Sequence, residues 1–357
     1  LPFMYLNNGL EPNEDCPIYK EYGLKLKIVV QDDFAAGRAA FNNGDIDIIY
    51  CTADALPVEM SEGSNMNDAR FFNVSNWSRG ADAIVVNKSI QNVSNLIGKV
   101  VCCSQGTASH TLLLNTLETN GIGADRVNMG NSTDPNKVNI KVVDNGLESA
   151  SAFRAGSCDA AVVFSPDDQD LVATVKGAHV LISTKQASNI ICDGLIAKQS
   201  YLESNKENVK IAAKAFAKAY GTDEKFAIDG SKNIHYITLG DAQNFFGLNS
   251  SYTGMQGDEL YSKMARTYEK LGLCKKPLSW RKVSYPDIIE SLASNAGEVK
   301  GDQAAEASVK FKETSTSDAE TKTAISDKKV TIEYPVDSDI LDNNAQCIID
   351  REFAGIA

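Results

Sequence analysis

The chain has 357 residues, a formal net charge of -12 and 43% hydrophobic residues. This balance is typical of a globular protein and excludes a disordered chain, a collagen and a coiled coil. No apolar run approaches the ~18 residues of a membrane-spanning helix, and the acidic surface argues against nucleic acid as a partner. The length exceeds that of one usual hydrophobic core, so we expect two lobes or a domain with an appendage.

Two stretches repeat a pattern of strand, short alanine-rich helix, glycine stop and strand. They cover residues 26–50 and 139–164, and each carries Phe-x-x-Gly-x-x-Asp, at residues 41–47 and 153–159. Glycine accepts the left-handed conformation that ends a helix, and the apolar runs after it are typical of strands buried in a parallel sheet. The repeat predicts an α/β protein with two related lobes, although many α/β proteins reuse this unit.

Apolar periodicity predicts the remaining elements in chain order. Further strands are expected over residues 81–86, 99–103, 180–183 and 190–197. Helices are expected over residues 109–119, 207–228, 239–246, 258–271 and 286–293. Residues 295–329 are rich in Ala, Glu, Lys, Ser and Thr and read as a linker. A strand over residues 330–335 and the opening of a helix over 338–357 follow, which is too little to fold alone.

The eight cysteines contain no Cys-x-x-Cys, which excludes a zinc ribbon and a thioredoxin-like motif. Cys51, Cys158 and Cys192 lie inside or beside apolar runs, where a free cysteine behaves as a small buried hydrophobe. A bridge between the adjacent Cys102 and Cys103 would be strained. We therefore expect most of the cysteines to be reduced residues of the core.

Residues 104–110, SQGTASH, lie between a predicted strand and a predicted helix. The glycine permits close backbone approach, and the helix N-terminus offers free N–H groups and a positive dipole end. This combination suits a small anion or a carboxylate. The alternatives are a Ser or Thr that only caps the helix and a structural role for His110. The loop lacks the ending of a P-loop and the glycine spacing of a Rossmann fingerprint.

Other loops also carry candidate ligand groups. Residues 77–82 place Trp and Arg beside a glycine, a combination that packs on and pairs with ligands, although Arg79 could instead pair with Asp82. Ligands of open α/β sheets bind at the carboxyl ends of strands, where turn chemistry favours the same polar residues. The candidate ligand-binding residues are Thr52, Asp54, Trp77, Ser78, Arg79, Gly106, Thr107, Ser109, His110, Ser165, Asp168 and Asp193.

Signals for catalysis are weak. The three histidines lie far apart, and neither H-E-x-x-H nor G-x-S-x-G occurs. The acid pairs at residues 32–33 and 167–168 could serve acid–base work or hold a metal, but adjacent acids are more typical of surface turns. We expect no catalytic residue, no cofactor and no metal site.

At these motifs the chain resembles periplasmic solute-binding proteins of ABC importers, in the nitrate/taurine/sulfonate branch. The similarity rests on the repeated Phe-x-x-Gly-x-x-Asp unit and on IQNVSNLIGKVV at residues 90–101. WSRGADAIVV, FSPDD, STKQASNII and NFFGLN are similar to a bacterial subgroup labelled phosphate ABC transporter substrate-binding/OmpA family protein. IIDREF, at residues 348–353, is similar to the start of its OmpA-like domain. By this resemblance, the chain is truncated at both ends.

The resemblance implies a type II periplasmic-binding-protein fold with two Rossmann-like lobes and a ligand cleft. Lobe 1 would hold residues 1–89 and 189–296, and lobe 2 residues 90–188. A linker over 297–329 would lead to a partial OmpA-like domain over 330–357. The family mechanism is hinge closure around the ligand. Arg79 and the backbone after Gly106 would meet negative charge, whereas Asp54, Asp168 or Asp193 would meet a ligand amine or accept from Arg79.

We therefore expect a bacterial periplasmic or extracytoplasmic protein of the cell envelope that delivers a solute to ABC importer membrane subunits. The solute would be an oxyanion, a sulfonate or amino-acid-like, and acidic cleft residues favour a zwitterion. Peptidoglycan would be a further partner through the OmpA-like domain. One alternative is an envelope-anchored sensor or scaffold without a transport role. The other is an enzyme on the same fold, such as the thiamine-pyrimidine synthases, whose cysteine-rich signature is not evident here.

Overall fold

The structure is a computed structural model that describes residues 7–31, 34–61, 64, 66, 68–210 and 233–293. Its helices are α1 (Pro17–Tyr22), α2 (Phe34–Asn43), α3 (Leu56–Glu59), α4 (Ala108–Thr119), α5 (Gly146–Arg154), α6 (Asp167–Thr174), α7 (Gln199–Ser204), α8 (Leu239–Phe245), α9 (Gly257–Lys270), α10 (Trp280–Val283) and α11 (Asp287–Ala293). Its strands are β1 (Ile48–Thr52), β2 (Ala69–Ser78), β3 (Asp82–Val86), β4 (Val100–Ser104), β5 (Val127–Asn128), β6 (Val138–Val143), β7 (Ala160–Phe164), β8 (His179–Ser183), β9 (Cys192–Lys198) and β10 (Ile234–Tyr236).

The described residues form two compact units. Unit 1 comprises those within Leu1–Asn76 and Cys192–Lys310, and unit 2 those within Trp77–Ile191. Each unit is built on one sheet: a four-stranded sheet in unit 1 and a six-stranded sheet in unit 2. Two mixed α/β units with one sheet each confirm the expected fold class.

The sheet of unit 2 has the strand order β5-β6-β4-β7-β3-β8. Strand β4 runs parallel to β6 and to β7, whereas β3 is antiparallel to β7 and β8. The predicted strands over 81–86, 99–103 and 180–183 are confirmed as β3, β4 and β8. Helices α5 and α6 cover β7 through a core that includes Phe153, Val163 and Leu171.

The sheet of unit 1 has the strand order β1-β9-β2-β10. Strand β1 pairs antiparallel with β9 at the edge of this sheet, and most of its residues are only partly buried. The expectation of a strand buried in a parallel sheet is therefore wrong for the run of the first repeat that follows Gly44 and ends at Tyr50. The expectation failed because the sequence pattern does not show which strand will be the neighbour. An aromatic cluster of Phe71, Phe245, Tyr261 and Trp280 packs the core of this unit.

Two further differences concern elements of unit 1. Residues 26–31 of the expected first strand are not in a strand, and Val29 and Val30 are 58% and 55% exposed. The ten-residue strand β2 was not predicted, because Asn73, Ser75 and Asn76 interrupt its apolar pattern. The expected helices over 239–246, 258–271 and 286–293 are confirmed as α8, α9 and α11.

Several expectations lie outside the described residues. These are the acid pair at 32–33, most of the helix over 207–228, the linker, and the strand and helix of the OmpA-like part. Within the described ranges, no helix is both long and apolar enough to cross a membrane.

Cysteine pairing requires a correction. Cys102 forms a disulfide with Cys158, with Cα atoms 5.9 Å apart, so the expectation of a free Cys158 is wrong. The parallel pairing of β4 with β7, which includes Cys102 opposite Ala161, brings these distant positions together. The described free cysteines are all buried, as expected of small core residues: Cys16, Cys51, Cys103, Cys192 and Cys274.

Candidate functional site

Most of the candidate residues lie at one edge of the unit 2 sheet. Strands β4, β6 and β7 all end at this edge, and antiparallel pairing brings the start of β3 and the end of β8 to the same place. The candidate residues at this edge are Ser78, Arg79, Gly106, Thr107, Ser109, His110, Ser165 and Asp168. The carboxyl edge of such a sheet is a common place for ligands.

Helix α4 begins at this edge without a side-chain cap. Thr107 is its N-cap residue, but the Thr107 hydroxyl donates to the carbonyl of Ser104 (2.9 Å) and does not cap the helix. No acidic residue lies in the first turn. The first-turn N–H groups of an α-helix have no partner within the helix, so this end can bind a negatively charged group.

The loop before α4 is shaped by Gly106 and His110. Gly106 has a φ of +68°, a left-handed conformation that favours glycine. Its N–H donates to Nδ1 of His110 (3.3 Å). His110 is fully buried, and burial lowers the pKa of its imidazole to about 4. A neutral His110 therefore accepts this hydrogen bond at neutral pH and holds the loop.

The other two helices that begin at this edge already have acceptors at their N-termini. At α5 the side chain of Asn145 accepts from the Glu148 N–H (3.0 Å). At α6 the first turn contains Asp167, Asp168 and Asp170. The Asp168 carboxylate also accepts from the Ser165 hydroxyl (2.8 Å). Of these three helix ends, α4 alone combines an uncapped first turn with the absence of carboxylates.

A buried hydrogen-bond cluster around Asp82 lies at the same edge of the sheet as these helix N-termini. The Ser78 hydroxyl donates to Oδ2 of Asp82 (2.6 Å) and lies 2.7 Å from the Thr184 hydroxyl, which accepts from the Gly80 N–H (2.7 Å). Burial, followed by the negative charge of Asp168, raises the pKa of Asp82 to about 6 even though the Ser78 bond lowers it. From the sequence, Asp82 was a candidate only as a partner for Arg79, and Thr184 was not a candidate.

Arg79 does not form the ion pair with Asp82 that the sequence left open. Its side chain is partly buried, and among the described residues it has no hydrogen bond or ion pair. Trp77, near the end of β2, is 7% exposed and is one of the buried hydrophobic residues. Arg79 is therefore able to pair with a ligand at this edge, whereas the Trp77 ring presents little surface.

Unit 1 holds the remaining candidates on β1 and β9. Thr52 lies opposite Asp193 in this antiparallel pair, and both are partly buried. Asp54 is fully buried and accepts from the Cys192 N–H (3.4 Å). Asp193 therefore offers a more accessible carboxylate than Asp54.

A polar network next to Asp193 was missed in the sequence. The Tyr50 hydroxyl bonds to the Ser75 hydroxyl and accepts from Nδ2 of Asn76 (2.9 Å). Although Tyr50 is 46% exposed overall, burial of its hydroxyl, followed by the charge of Asp193, raises its pKa. Polar residues on successive positions of β2 were the available signal, but recognising it required knowing that β2 is a strand.

The part of the chain that the structure describes contains no group of three or more His, Cys, Asp or Glu that could hold a metal ion. The polar groups described above are the α4 N-terminus and Arg79 on unit 2, and Tyr50 with Asp193 on unit 1.

Comparison with known proteins identifies a family and a fold. The family described as NMT1/THI5 like matches residues 18–223. No curated protein matches the chain by sequence. Among solved structures, the periplasmic aliphatic sulphonate binding protein of Escherichia coli is similar, with a TM-score of 0.56 and 19% identity over 75% of this chain and 85% of that one.

Two further structures support the fold. The alkanesulfonate-binding protein of Xanthomonas axonopodis pv. citri, bound to MOPS, has a TM-score of 0.50 and 16% identity over 84% of this chain and 89% of that one. A Candida albicans protein described as having the generic periplasmic binding protein fold has a TM-score of 0.53 and 11% identity, covering 82% and 91%. At these identities the likeness establishes the periplasmic-binding-protein fold.

Proposed function

Because the chain belongs to the NMT1/THI5-like family, we propose that it is an extracytoplasmic solute-binding protein that delivers a small anionic or polar solute to the membrane subunits of an ABC importer. It would act by binding, with no catalytic step. The observation that carries the proposal is the uncapped N-terminus of α4 at the edge of the unit 2 sheet. Structural neighbours named for sulphonate binding give independent support.

The site favours an anion for a physical reason. The first-turn N–H groups of α4 and the helix dipole direct positive potential to the edge of the sheet. Gly106 lets a ligand approach the backbone closely, and Arg79 supplies a charge that no described residue neutralises. Sulfonates, other oxyanions and carboxylates share the acceptor oxygens that such a site binds.

The test is a substitution that blocks the helix end without weakening the helix. Ala108→Asp places a carboxylate at the first position of α4, where negative charge stabilises a helix. We expect unchanged or slightly raised thermal stability but a loss of affinity for the bound anion of tenfold or more. Ligands would first be found by thermal unfolding against oxyanions, sulfonates and amino acids, since a ligand at ~100 times its Kd adds ~2.7 kcal/mol.

The matched control is Ser151→Asp, which adds the same charge to an exposed position of α5 in the same unit. Its affinity for the anion should equal that of the parent protein. Equal losses in the two variants would mean that only overall charge matters, and an Ala108→Asp protein that binds normally would contradict the proposed site.

We further propose that the solute is captured in a cleft by closure of two lobes about a hinge. The chain crosses between the two units near residues 76–77 and 191–192. The Ser78 N–H donates to the Ile191 carbonyl (3.1 Å), so the two crossing segments are in contact. Small-angle X-ray scattering should record a smaller radius of gyration with ligand than without it, and equal values would contradict closure.

The envelope role is a separate proposal. Residues 330–357 resemble the start of an OmpA-like domain, which would attach the protein to peptidoglycan. If the binding units sense a solute and transport nothing, the protein would be an envelope sensor or scaffold. Co-sedimentation of the native protein with purified peptidoglycan tests the attachment, and uptake of the identified solute in a deletion strain separates transport from sensing.

A further inference from the structure

Two loops of unit 2 meet where β3 begins and β8 ends. One loop joins β2 to β3, and the other follows β8. The antiparallel pairing of the two strands sets Ala83 opposite Ser183, so the loops are neighbours. Each loop carries one basic residue, Arg79 in the first and Lys185 in the second. We define these two residues as the cation pair. Lys185 was not a candidate from the sequence alone.

Hydrogen bonds hold the two loops together. The Gly80 N–H donates to the Thr184 hydroxyl (2.7 Å), and the Thr184 N–H donates to the Asp82 carbonyl (3.0 Å). Thr184 is fully buried, so water does not compete for these bonds. They join the residue after Arg79 to the residue before Lys185 and so fix the separation of the two backbones.

The side chain of Lys185 lies along the backbone of the first loop. A Cβ atom on Gly80 would lie 2.6 Å from Cε and 2.7 Å from Cγ of Lys185, which is closer than nonbonded carbon atoms approach. Glycine leaves this space open, and its φ of +121° is a conformation that other residues rarely adopt. Lysine commonly packs its methylene groups in this way and keeps its ammonium in water. The Lys185 ammonium therefore lies close to the residue that follows Arg79.

The protein does not neutralise either member of the cation pair. Among the described residues, the side chains of Arg79 and Lys185 form no hydrogen bond and no ion pair. Two acids near these loops, Asp82 and Asp168, each accept from a serine hydroxyl instead (2.6 and 2.8 Å). Two neighbouring positive charges without a counter-charge repel each other, so this place favours an anionic group.

The cation pair lies apart from the N-terminus of α4. In the strand order, β7 separates β3 from β4, the strand after which α4 begins. Two strand spacings amount to about 10 Å. Because the Lys185 stem lies along Gly80, its ammonium stays beside β3 and does not reach an anion bound at α4. A second acidic group on the same solute would reach it.

We infer that Arg79 and Lys185 form a second anion-binding subsite, so that the solute carries two acidic groups joined by a short chain. The inference rests on the proposed solute-binding function and deepens it by naming the class of solute. One acidic group would accept from the first-turn N–H groups of α4, and the other from the Arg79 guanidinium and the Lys185 ammonium. A solute with a single acidic group would leave the cation pair without a full counter-charge.

The experiment compares acids that differ in the presence of a second acidic group. Isothermal titration calorimetry at pH 7 would use glutarate against pentanoate, adipate against hexanoate, and butanedisulfonate against butanesulfonate. We expect the diacid of at least one pair to bind tenfold or more tightly than its monoacid, as a charge-assisted hydrogen bond implies. Equal binding within every pair overturns the subsite but leaves the proposed function in place.

The decisive variant is Lys185→Met, which keeps an unbranched stem over Gly80 and removes the charge. It should reduce the preference for the diacid about fivefold and leave the affinity for the monoacid unchanged, and the addition of Arg79→Ala should abolish the preference. Lys176→Met is the matched control, because it removes the same charge from an exposed lysine that precedes β8, at the opposite end of that strand from Lys185. It should retain the full preference.

A preference that survives intact in Lys185→Met overturns the subsite. So does an equal reduction in Lys176→Met, since overall charge would then explain the result. If no acid of any pair binds, the inference fails. The proposed function fails with it only when the wider panel of anions also gives no shift in thermal unfolding.

Discussion

The two units differ in which hydrogen-bonding groups their own residues leave available. In unit 2, α4 presents uncapped N–H groups, and Arg79 is unpaired among the described residues. In unit 1, the network of Tyr50, Ser75 and Asn76 uses all its donors and leaves acceptors beside Asp193. A ligand group bound by the first must therefore accept hydrogen bonds, and a group bound by the second must donate them.

The units also differ in how they are held together. Unit 2 contains the disulfide between Cys102 and Cys158, whereas the described cysteines of unit 1 are free and buried, among them Cys51 and Cys192. Burial raises the pKa of both unit 1 thiols, so they are protonated and poorly reactive. Unit 2 is thus cross-linked covalently, whereas the described part of unit 1 contains no disulfide.

The largest expected effect tests this second contrast. The disulfide closes a separation of 56 residues, and a loop of that length is worth roughly 4 kcal/mol to the folded state in the chain-entropy account. Reductant should therefore lower the urea stability of unit 2 by ~2–4 kcal/mol and leave unit 1 unchanged. In the double variant with Cys102→Ser and Cys158→Ser, reductant should have no effect. A reductant effect that persists in that variant would contradict the assignment.

The second largest expected effect is a pH dependence of the free energy of unfolding of unit 2. The pKa of Asp82 in the folded protein is about 6, above the unfolded value of ~3.9. The folded state therefore binds the proton more tightly, and this stabilisation, complete below pH ~4, is lost as pH rises to ~6. The loss can reach ~3 kcal/mol, since each unit of pKa is worth 1.36 kcal/mol.

Asp82→Asn should remove this dependence, because the amide oxygen still accepts from Ser78 but no charge is buried. Urea unfolding between pH 4 and 7.5 should give a flatter stability profile than that of the parent protein and higher stability at pH 7.5. The exposed Asp45→Asn serves as the control. Parallel profiles for the parent and Asp82→Asn would mean that Asp82 is not the titrating group.

Sequence patterns predicted unit 2 better than unit 1, for a physical reason. Continuous apolar runs such as residues 160–163 are buried on both faces of a central strand, and burial of that kind is visible in sequence. Ser75 and Asn76 of β2 contact Tyr50 only because β9 pairs with β1 and lies next to β2. Local periodicity does not show which distant segments will pair. The disulfide between Cys102 and Cys158 was missed for the same reason.

The smallest expected effect concerns Arg79, whose substitution should weaken ligand binding but leave the free energy of unfolding nearly unchanged. Because its guanidinium has no described partner, Arg79→Ala should change the free energy of unfolding by no more than ~0.5 kcal/mol. If Arg79 pairs with the anion, the same change should weaken binding about tenfold, equivalent to ~1.4 kcal/mol. Arg154→Ala is the matched control, since it removes the same charge from an exposed ion pair with Asp170 in the same unit. Equal affinities in the two variants would leave the α4 backbone as the sole anion-binding element, and a loss in Arg79→Ala alone would make the edge of the unit 2 sheet a two-part site.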